Sequence, residues 1–312
     1  MKSTRAFFSK YWTNALLSNA ICLLLIATLF AIFGTRAASA QDTAQAAPAL
    51  TFTYTTVTVP GAPDTQLFAV NNSGAMVGNY DDNSGMLHGL LIAGGKVKTI
   101  DHPGAVVGTR LFGINSTGTI AGYYQDGVGG LFGFTYKGGV FKSILPTGST
   151  GTFVYGINDA GLVTGAYYDT ANKLHGFVGS PTAGYKTLNV PGASSTLAWG
   201  INKSGIITLV WRNASGLRSG ATYNGAKYTI VKVPGSTETL MRGINTAGDL
   251  VMAYTDAAGT HAALRTGGVF YKFNDPVQPN NTIATGINDK RVITGNITDS
   301  VTGAVSGIKV TY

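Results

Sequence analysis

Tyr155-Gly156-Ile157-Asn158-Asp159-Ala160-Gly161-Leu162-Val163-Thr164-Gly165-Ala166-Tyr167-Tyr168-Asp169 is one copy of a stretch that returns along the whole chain. Its asparagine recurs as Asn71, Asn115, Asn158, Asn202, Asn245 and Asn288, at steps of 44, 43, 44, 43 and 43 residues. A short unit repeated at so regular an interval cannot bury its apolar face alone and must stack on its neighbours. In the third copy, β-branched and aromatic residues fall into four runs, 152–157, 162–168, 174–179 and 184–190. Gly, Asn, Asp and Pro separate the runs, and no stretch offers a helix. Four short strands per period of about 43 residues match a propeller blade. The expected fold is therefore all-β, a six-bladed β-propeller over residues 51–312.

The turns follow the same period. Asn followed three residues later by Gly suits a tight hairpin, because Asn braces the turn and Gly accepts positive φ. Gly74, Gly118, Gly161, Gly205 and Gly248 keep this spacing, whereas the sixth copy has Arg291. Eleven residues after each asparagine stands a second Asx residue: Asp82, Asp126, Asp169, Asn213, Asp256 and Asp299. Nine residues after it stands an aromatic, Tyr80, Tyr124, Tyr167, Trp211 or Tyr254, with Ile297 in the last copy; these are expected to pack between neighbouring blades.

The ends of the repeat region predict how the ring closes. The last run, 307–312, corresponds to a third strand with no fourth after it. The segment 52–60, followed by Gly61-Ala62, matches the fourth strands that lead into Pro103-Gly104-Ala105, Pro191-Gly192-Ala193 and Pro234-Gly235-Ser236. An N-terminal strand completing the last blade would close the ring and hide edges that otherwise template aggregation.

Residues 1–40 read as a secretory signal peptide: Lys2, Arg5 and Lys10, an apolar run over 21–34, then Ala38-Ser39-Ala40 before Gln41. The apolar run is shorter than the roughly 20 residues a spanning helix needs, so no membrane span is expected after cleavage. Cys22 lies at the start of that run without the small residue a lipoprotein signal requires. Residues 41–50, rich in Ala, Gln and Thr, read as a linker. Removing 1–40 lowers the net charge from +8 to +4 and leaves no cysteine. The remaining Lys and Arg are scattered, which argues against nucleic acid. A secreted or periplasmic monomer that folds without disulfides is expected.

The pattern G-I-N-x-x-G-x-x-x-G-x-Y-x-D, then Leu87-His88-Gly89-Leu90 or Leu174-His175-Gly176-Phe177, then Pro-Gly-Ala, resembles the bacterial extracellular repeats called the HAF family. The resemblance covers nearly all of 51–312, although copies four and six lack the histidine. It implies a secreted repeat protein and transfers no catalytic residue.

Three sets of residues invite a functional reading. His88, His175 and His261 sit on third strands of alternate copies, too far from the axis to converge on one metal, and are assigned structural hydrogen bonds. Asp82, Asp126, Asp169, Asp256 and Asp299 ring one face with hard oxygen ligands suited to Ca²⁺, the one cofactor considered, against a plain turn-bracing role. The third set stands three residues before each key asparagine: Phe68, Phe112, Tyr155, Trp199, Arg242 and Thr285. The flanking Gly and Ile hardly change while this position does. It is placed near the entry of the innermost strand, where Tyr155, Trp199 and Arg242 would offer an aromatic platform beside a guanidinium to a sugar or anionic small molecule. The chain holds one glutamate, Glu238, and no nucleophile elbow, phosphate loop or HExxH helix. A binding or scaffold module for a small molecule, glycan or protein is thus favoured over an extracellular hydrolase or lyase acting on a carbohydrate or lactone.

Overall fold

The structure, a computed structural model, describes residues 49–312. The signal-peptide reading of 1–40 and most of the 41–50 linker lie outside the described residues. All regular structure in the described residues is β; there is no helix, hence none long and apolar enough to cross a membrane.

The chain enters through β1 (Thr53–Val57) and then runs as successive antiparallel meanders. The first two are β2 (Asp64–Val70), β3 (Met76–Asp81), β4 (Leu87–Ala93) and β5 (Lys96–Thr99), then β6 (Gly108–Ile114), β7 (Ile120–Gln125), β8 (Leu131–Lys137) and β9 (Val140–Ile144). A single parallel pair, Leu87 with Gly108, joins these two edge to edge into one eight-stranded sheet. A four-stranded sheet follows from β10 (Gly151–Ile157), β11 (Val163–Tyr168), β12 (Leu174–Ser180) and β13 (Gly184–Leu188). The next is β14 (Ser195–Ile201), β15 (Ile207–Arg212), β16 (Arg218–Tyr223) and β17 (Tyr228–Val231). After it come β18 (Glu238–Ile244), β19 (Leu250–Thr255), β20 (Thr260–Thr266) and β21 (Val269–Phe273). The chain finishes with β22 (Thr282–Ile287), β23 (Val292–Thr298) and β24 (Val305–Thr311), and β1 pairs antiparallel with β24, from Thr53 opposite Thr311 to Val57 opposite Gly307. The arrangement is a β-propeller.

Each key asparagine does two jobs. The Asn158 side-chain oxygen accepts from the backbone N–H groups of Ala160 and Leu162, bracing the first turn as the spacing predicts. Its amide nitrogen then donates to the backbone carbonyl of Asn202 in the next repeat. The same donation runs from Asn71 to Asn115, Asn115 to Asn158, Asn202 to Asn245, Asn245 to Asn288 and Asn288 to Asn71, a closed cycle about the axis. These asparagines are 4–7% exposed, so each amide is a buried polar group with its hydrogen bonds satisfied. The sixth turn keeps its shape although Arg291 must adopt φ of +60° to do so.

Side-chain volume is complementary within each meander. On the second strand, Gly78, Gly122, Gly165 and Gly295 stand opposite Leu90, Phe134, Phe177 and Ile308 of the third. In the fourth and fifth repeats the sizes are exchanged: Leu209 faces Ala221 and Met252 faces Ala263. All the large partners are at most 1% exposed. The outermost strands are mostly exposed and carry Lys98, Lys142, Lys186 and Lys272, charges that discourage pairing with another chain.

Candidate functional site

The innermost strands all carry a β-bulge, and the bulge falls on the variable position. Register shifts lie between Leu67 and Ala69, Leu111 and Gly113, Val154 and Gly156, Ala198 and Ile201, Met241 and Ile244, and Ala284 and Gly286. A bulge re-aims one side chain, and here it turns Phe68, Phe112, Tyr155, Trp199, Arg242 and Thr285 toward the axis. Hydrogen bonds from the preceding repeat hold two of these segments by their carbonyls. Thr164 Oγ1 donates to the Trp199 carbonyl at 2.9 Å, and Thr208 Oγ1 to that of Arg242 at 2.5 Å. Gly156 has no side chain because a Cβ there would lie 2.5 Å from the Trp199 carbonyl oxygen.

The re-aimed side chains stack on one another. Phe68 and Phe112 have ring centroids 4.4 Å apart, Phe112 meets Tyr155 edge-on at 5.2 Å, and Tyr155 lies parallel to Trp199 at 4.4 Å. The Arg242 guanidinium carbon stands 3.8 Å from the Trp199 ring centroid. Two groups at such distances cannot share one face of an indole, so Trp199 is sandwiched between a phenol and a cation. Thr285 is buried and donates to the Leu67 carbonyl.

Sequence reasoning is corrected on the height of this set. Tyr155 is the third residue from the end of β10, not near its entry, because the bulge needed to turn the side chain inward lies next to the Gly-Ile-Asn turn. The set consequently packs together about the axis two residues from the collar of Val70, Ile114 and Ile157 at the asparagine turns. Tyr155 is 8% exposed, and burial, followed by the neighbouring Tyr123, holds its hydroxyl well above the ordinary range.

A second tier lies toward the strand starts. Phe153 meets Tyr123 edge-on at 4.9 Å and Tyr168 at 5.9 Å, and the Arg110 guanidinium lies 5.6 Å from the Tyr123 ring. Asp64 and Asp81 face each other across β2 and β3. Burial and then the Asp64 charge raise the Asp81 carboxyl, with Arg110 opposing. Arg218 donates through Nε to Glu238 at 3.0 Å. Burial pulls the Arg242 guanidinium down to about 10, with the Arg218 charge adding to it, so it remains a cation at neutral pH. Its Nε is buried without a hydrogen-bond partner. At the other end of the axis, the asparagine turns and the β-branched collar Val70, Ile114, Ile157, Ile201, Ile244 and Ile287 enclose only about 90 Å³.

The aspartates of the second turn are not brought together. Among the described residues no group of three or more His, Cys, Asp or Glu is placed to hold a metal ion. Each carboxylate bends into its own loop: Asp82 accepts from the N–H groups of Ser84 and Met86, Asp126 from Val128 and Gly130, and Asp169 from Ala171 and Lys173. Asp256 accepts from Ala258, and Asp299 from Val301 and Thr302.

The histidines tie these turns to the neighbouring strand, the structural role expected of them. His88 bridges Asp101 at 2.7 Å and Asp82 at 3.3 Å, His175 bridges Asp169 and Asn189, and His261 bridges Asp256 and the Pro279 carbonyl. Burial works against the charge on His88, but the bonds to Asp101 and Asp82 outweigh it and hold its pKa above the ordinary value. A raised histidine contributes stability that is fully present below its unfolded pKa near 6.5 and is lost as pH rises through the higher folded value. The melting-temperature difference between the parent and His88→Gln should thus be widest near pH 6 and narrow on the alkaline side. A gap independent of pH would remove the bridge as its source.

Two features were not anticipated. Threonines near the start of the innermost strands accept from the incoming loop, as Thr65 does from Val59 N–H and Thr196 from Val190 N–H, which clamps the loops there, whereas the buried Thr152 hydroxyl of the third repeat has no hydrogen-bond partner. The signal, a threonine six residues before Asn71, Asn158, Asn202 and others, was present in the repeat. The bulge carries no such signal beyond the variability itself.

No family model matches the chain, and no curated protein matches it. Solved structures of similar fold include AofleA from Arthrobotrys oligospora, at 14% identity over 83% of this chain and 86% of that one, with a TM-score of 0.55. The SapL1 lectin, solved in complex with alpha methyl fucoside, is similar at 12% identity over 78% of this chain and 92% of that one, with a TM-score of 0.52. A fungal lectin from Aleuria aurantia, described as a six-bladed beta-propeller, is similar at 12% identity over 78% of this chain and 91% of that one, with a TM-score of 0.49.

Proposed function

We propose that this chain is an exported carbohydrate-binding module, a six-bladed propeller closed by β1, that takes its ligand at the channel mouth above Tyr155, Trp199 and Arg242. The blade count treats the eight-stranded sheet as its two meanders, and the pairing of β1 with β24 supports the closure. Export is the reading of residues 1–40. One observation carries the function: at a position aromatic in the first four copies, a partly buried arginine is stacked on Trp199, and the partly buried rings of Phe153 and Tyr168 meet edge-on two residues toward the strand start from Tyr155. Aromatic walls beside a fixed hydrogen-bond donor suit a sugar, which is apolar on its C–H faces and polar at its rim. The lectin of similar fold offers a precedent for a sugar ligand on such a scaffold.

A thermal-shift screen against soluble glycans tests this. A ligand at 100 times its Kd adds about 2.7 kcal/mol, or roughly 5 °C for a domain of this size. The shift should vanish in Trp199→Ala and Arg242→Ala. No shift across neutral and acidic glycans, or one that both variants retain, overturns the reading. The second reading, a hydrolase or lyase on a carbohydrate or lactone, draws on Asp81, the raised carboxyl opposite Asp64. It requires turnover of a chromogenic substrate that Asp81→Asn abolishes.

A further inference from the structure

The arginines around the channel mouth differ in how their charge is met. Arg218 is paired with the Glu238 carboxylate, to which it donates from both its Nε and one terminal nitrogen. Arg110 lies close enough to Asp81 to oppose the rise of its pKa. Arg242 has no carboxylate: among the described residues none forms an ion pair with it, and the Arg218 charge acts on it repulsively. Trp199 meets its face, and Nε is buried without a partner. Among the described residues no hydrogen bond is made by the two terminal nitrogens, and neither is fully buried, which leaves them open to a ligand.

A desolvated cation without a counter-charge is unfavourable, and the quadrupole of one indole offsets only part of that cost. Stacking also fixes the plane of the guanidinium, so its end-on pair of N–H donors is held in one orientation. That fork matches the two oxygens of a carboxylate, and the match is strongest where water is partly excluded. Phe153, two residues before Tyr155, meets Tyr168 edge-on, and these two partly buried rings are the wall offered to a sugar ring. We infer that the ligand of this mouth is an acidic saccharide, a uronate whose carboxylate seats on the terminal nitrogens of Arg242; this rests on the carbohydrate reading of the same site.

Calorimetric titration of the purified protein with trigalacturonate, its fully methyl-esterified form and a neutral galactose trisaccharide separates the two claims. The acid should bind at least tenfold more tightly than the ester, with a preference that shrinks as salt is raised. In Arg242→Met, which keeps a long apolar side chain over Trp199, acid and ester should bind alike. The ester comparison uses the unaltered protein, so it decides the matter even if that variant fails to fold. Equal binding of acid and ester overturns the acidic ligand and leaves a carbohydrate module standing. Binding of none of the three overturns both for this sugar series. Inorganic sulfate competing as well as trigalacturonate overturns the inference too, because a bare anion would then suffice.

Discussion

Deleting residues 50–59 is expected to lower the melting temperature by about 10 °C or more and to make the protein aggregate. The segment does two things that no other part of the chain can replace. Its backbone pairs with β24 from Gly307 to Thr311, and without it β24, the third strand, becomes an edge with unpaired N–H and C=O groups. Its side chains also span two sheets. Phe52 stacks on Phe273 of β21 at 4.5 Å and lies 5.8 Å from Tyr312, while Leu50 and Tyr54 pack on the same buried cluster. Burial, with Asp275 nearby, pushes the Tyr54 hydroxyl up to about 12. Burying a large apolar side chain contributes roughly 1.5–3 kcal/mol, so the loss of Phe52, Tyr54 and Leu50, all partly buried, comes to about 4 kcal/mol, and each kcal/mol moves the melting point by roughly 2–4 °C. The free edge adds association to that loss, since a bare strand recruits another. A synthetic peptide of residues 49–60 should restore the melting temperature in trans by strand addition. A deletion variant that melts within about 2 °C of its parent and elutes at the same size would show that β1 is an ornament on an already closed structure.

The sequence disclosed the architecture through its period, and the reasons are local. Asn158 and Gly161 bind and bend the same turn, so their spacing survives wherever the turn does; the Asx residues of the second turn behave likewise. Strand boundaries in the third repeat fell within two residues of those observed because Gly and Asn punctuate each run. What stayed hidden depends on relations between repeats. The Asn158 amide donating to Asn202 is invisible in either repeat alone, because a turn-bracing side chain uses only its oxygen. The height of Tyr155 in the channel was misjudged for a similar reason. A strict alternation of facing predicts where residues point only until a bulge shifts it, and no residue type marks this bulge, which carries Phe, Tyr, Trp, Arg and Thr alike. The variability of that position was legible, and so was its approach to the axis. Its mutual stacking was not, since contact among six side chains depends on the diameter of the ring.

The exchange of sizes between second and third strands offers the sharpest test of how each meander is packed. A Cβ on Gly165 would lie 2.0 Å from the Phe153 carbonyl oxygen and 2.7 Å from the Phe177 ring, which fills the space a side chain would need. Gly165→Leu must therefore move both a backbone and a buried aromatic, and is expected to cost more than about 4 kcal/mol. Phe177→Ala alone leaves a cavity and should cost about 3–5 kcal/mol. The double variant recreates the arrangement of the fourth repeat, in which Leu209 fills the space beside Ala221. It should be more stable than additivity allows, with a coupling of about 1–3 kcal/mol. Recovery is expected to be incomplete, because the fourth repeat differs in its backbone as well. There the register shift spans Ala198 to Ile201, two intervening residues, against the single Tyr155 between Val154 and Gly156. That backbone already accommodates a Cβ on the second strand, since Leu209 stands there opposite Ala198. Urea unfolding of the parent, both single variants and the double variant measures the coupling. If the two costs simply add within about 0.5 kcal/mol, the carbonyl contact alone dictates the glycine. Phe177 is then large for reasons of its own, and the paired sizes along the chain reflect backbone geometry instead of a shared volume.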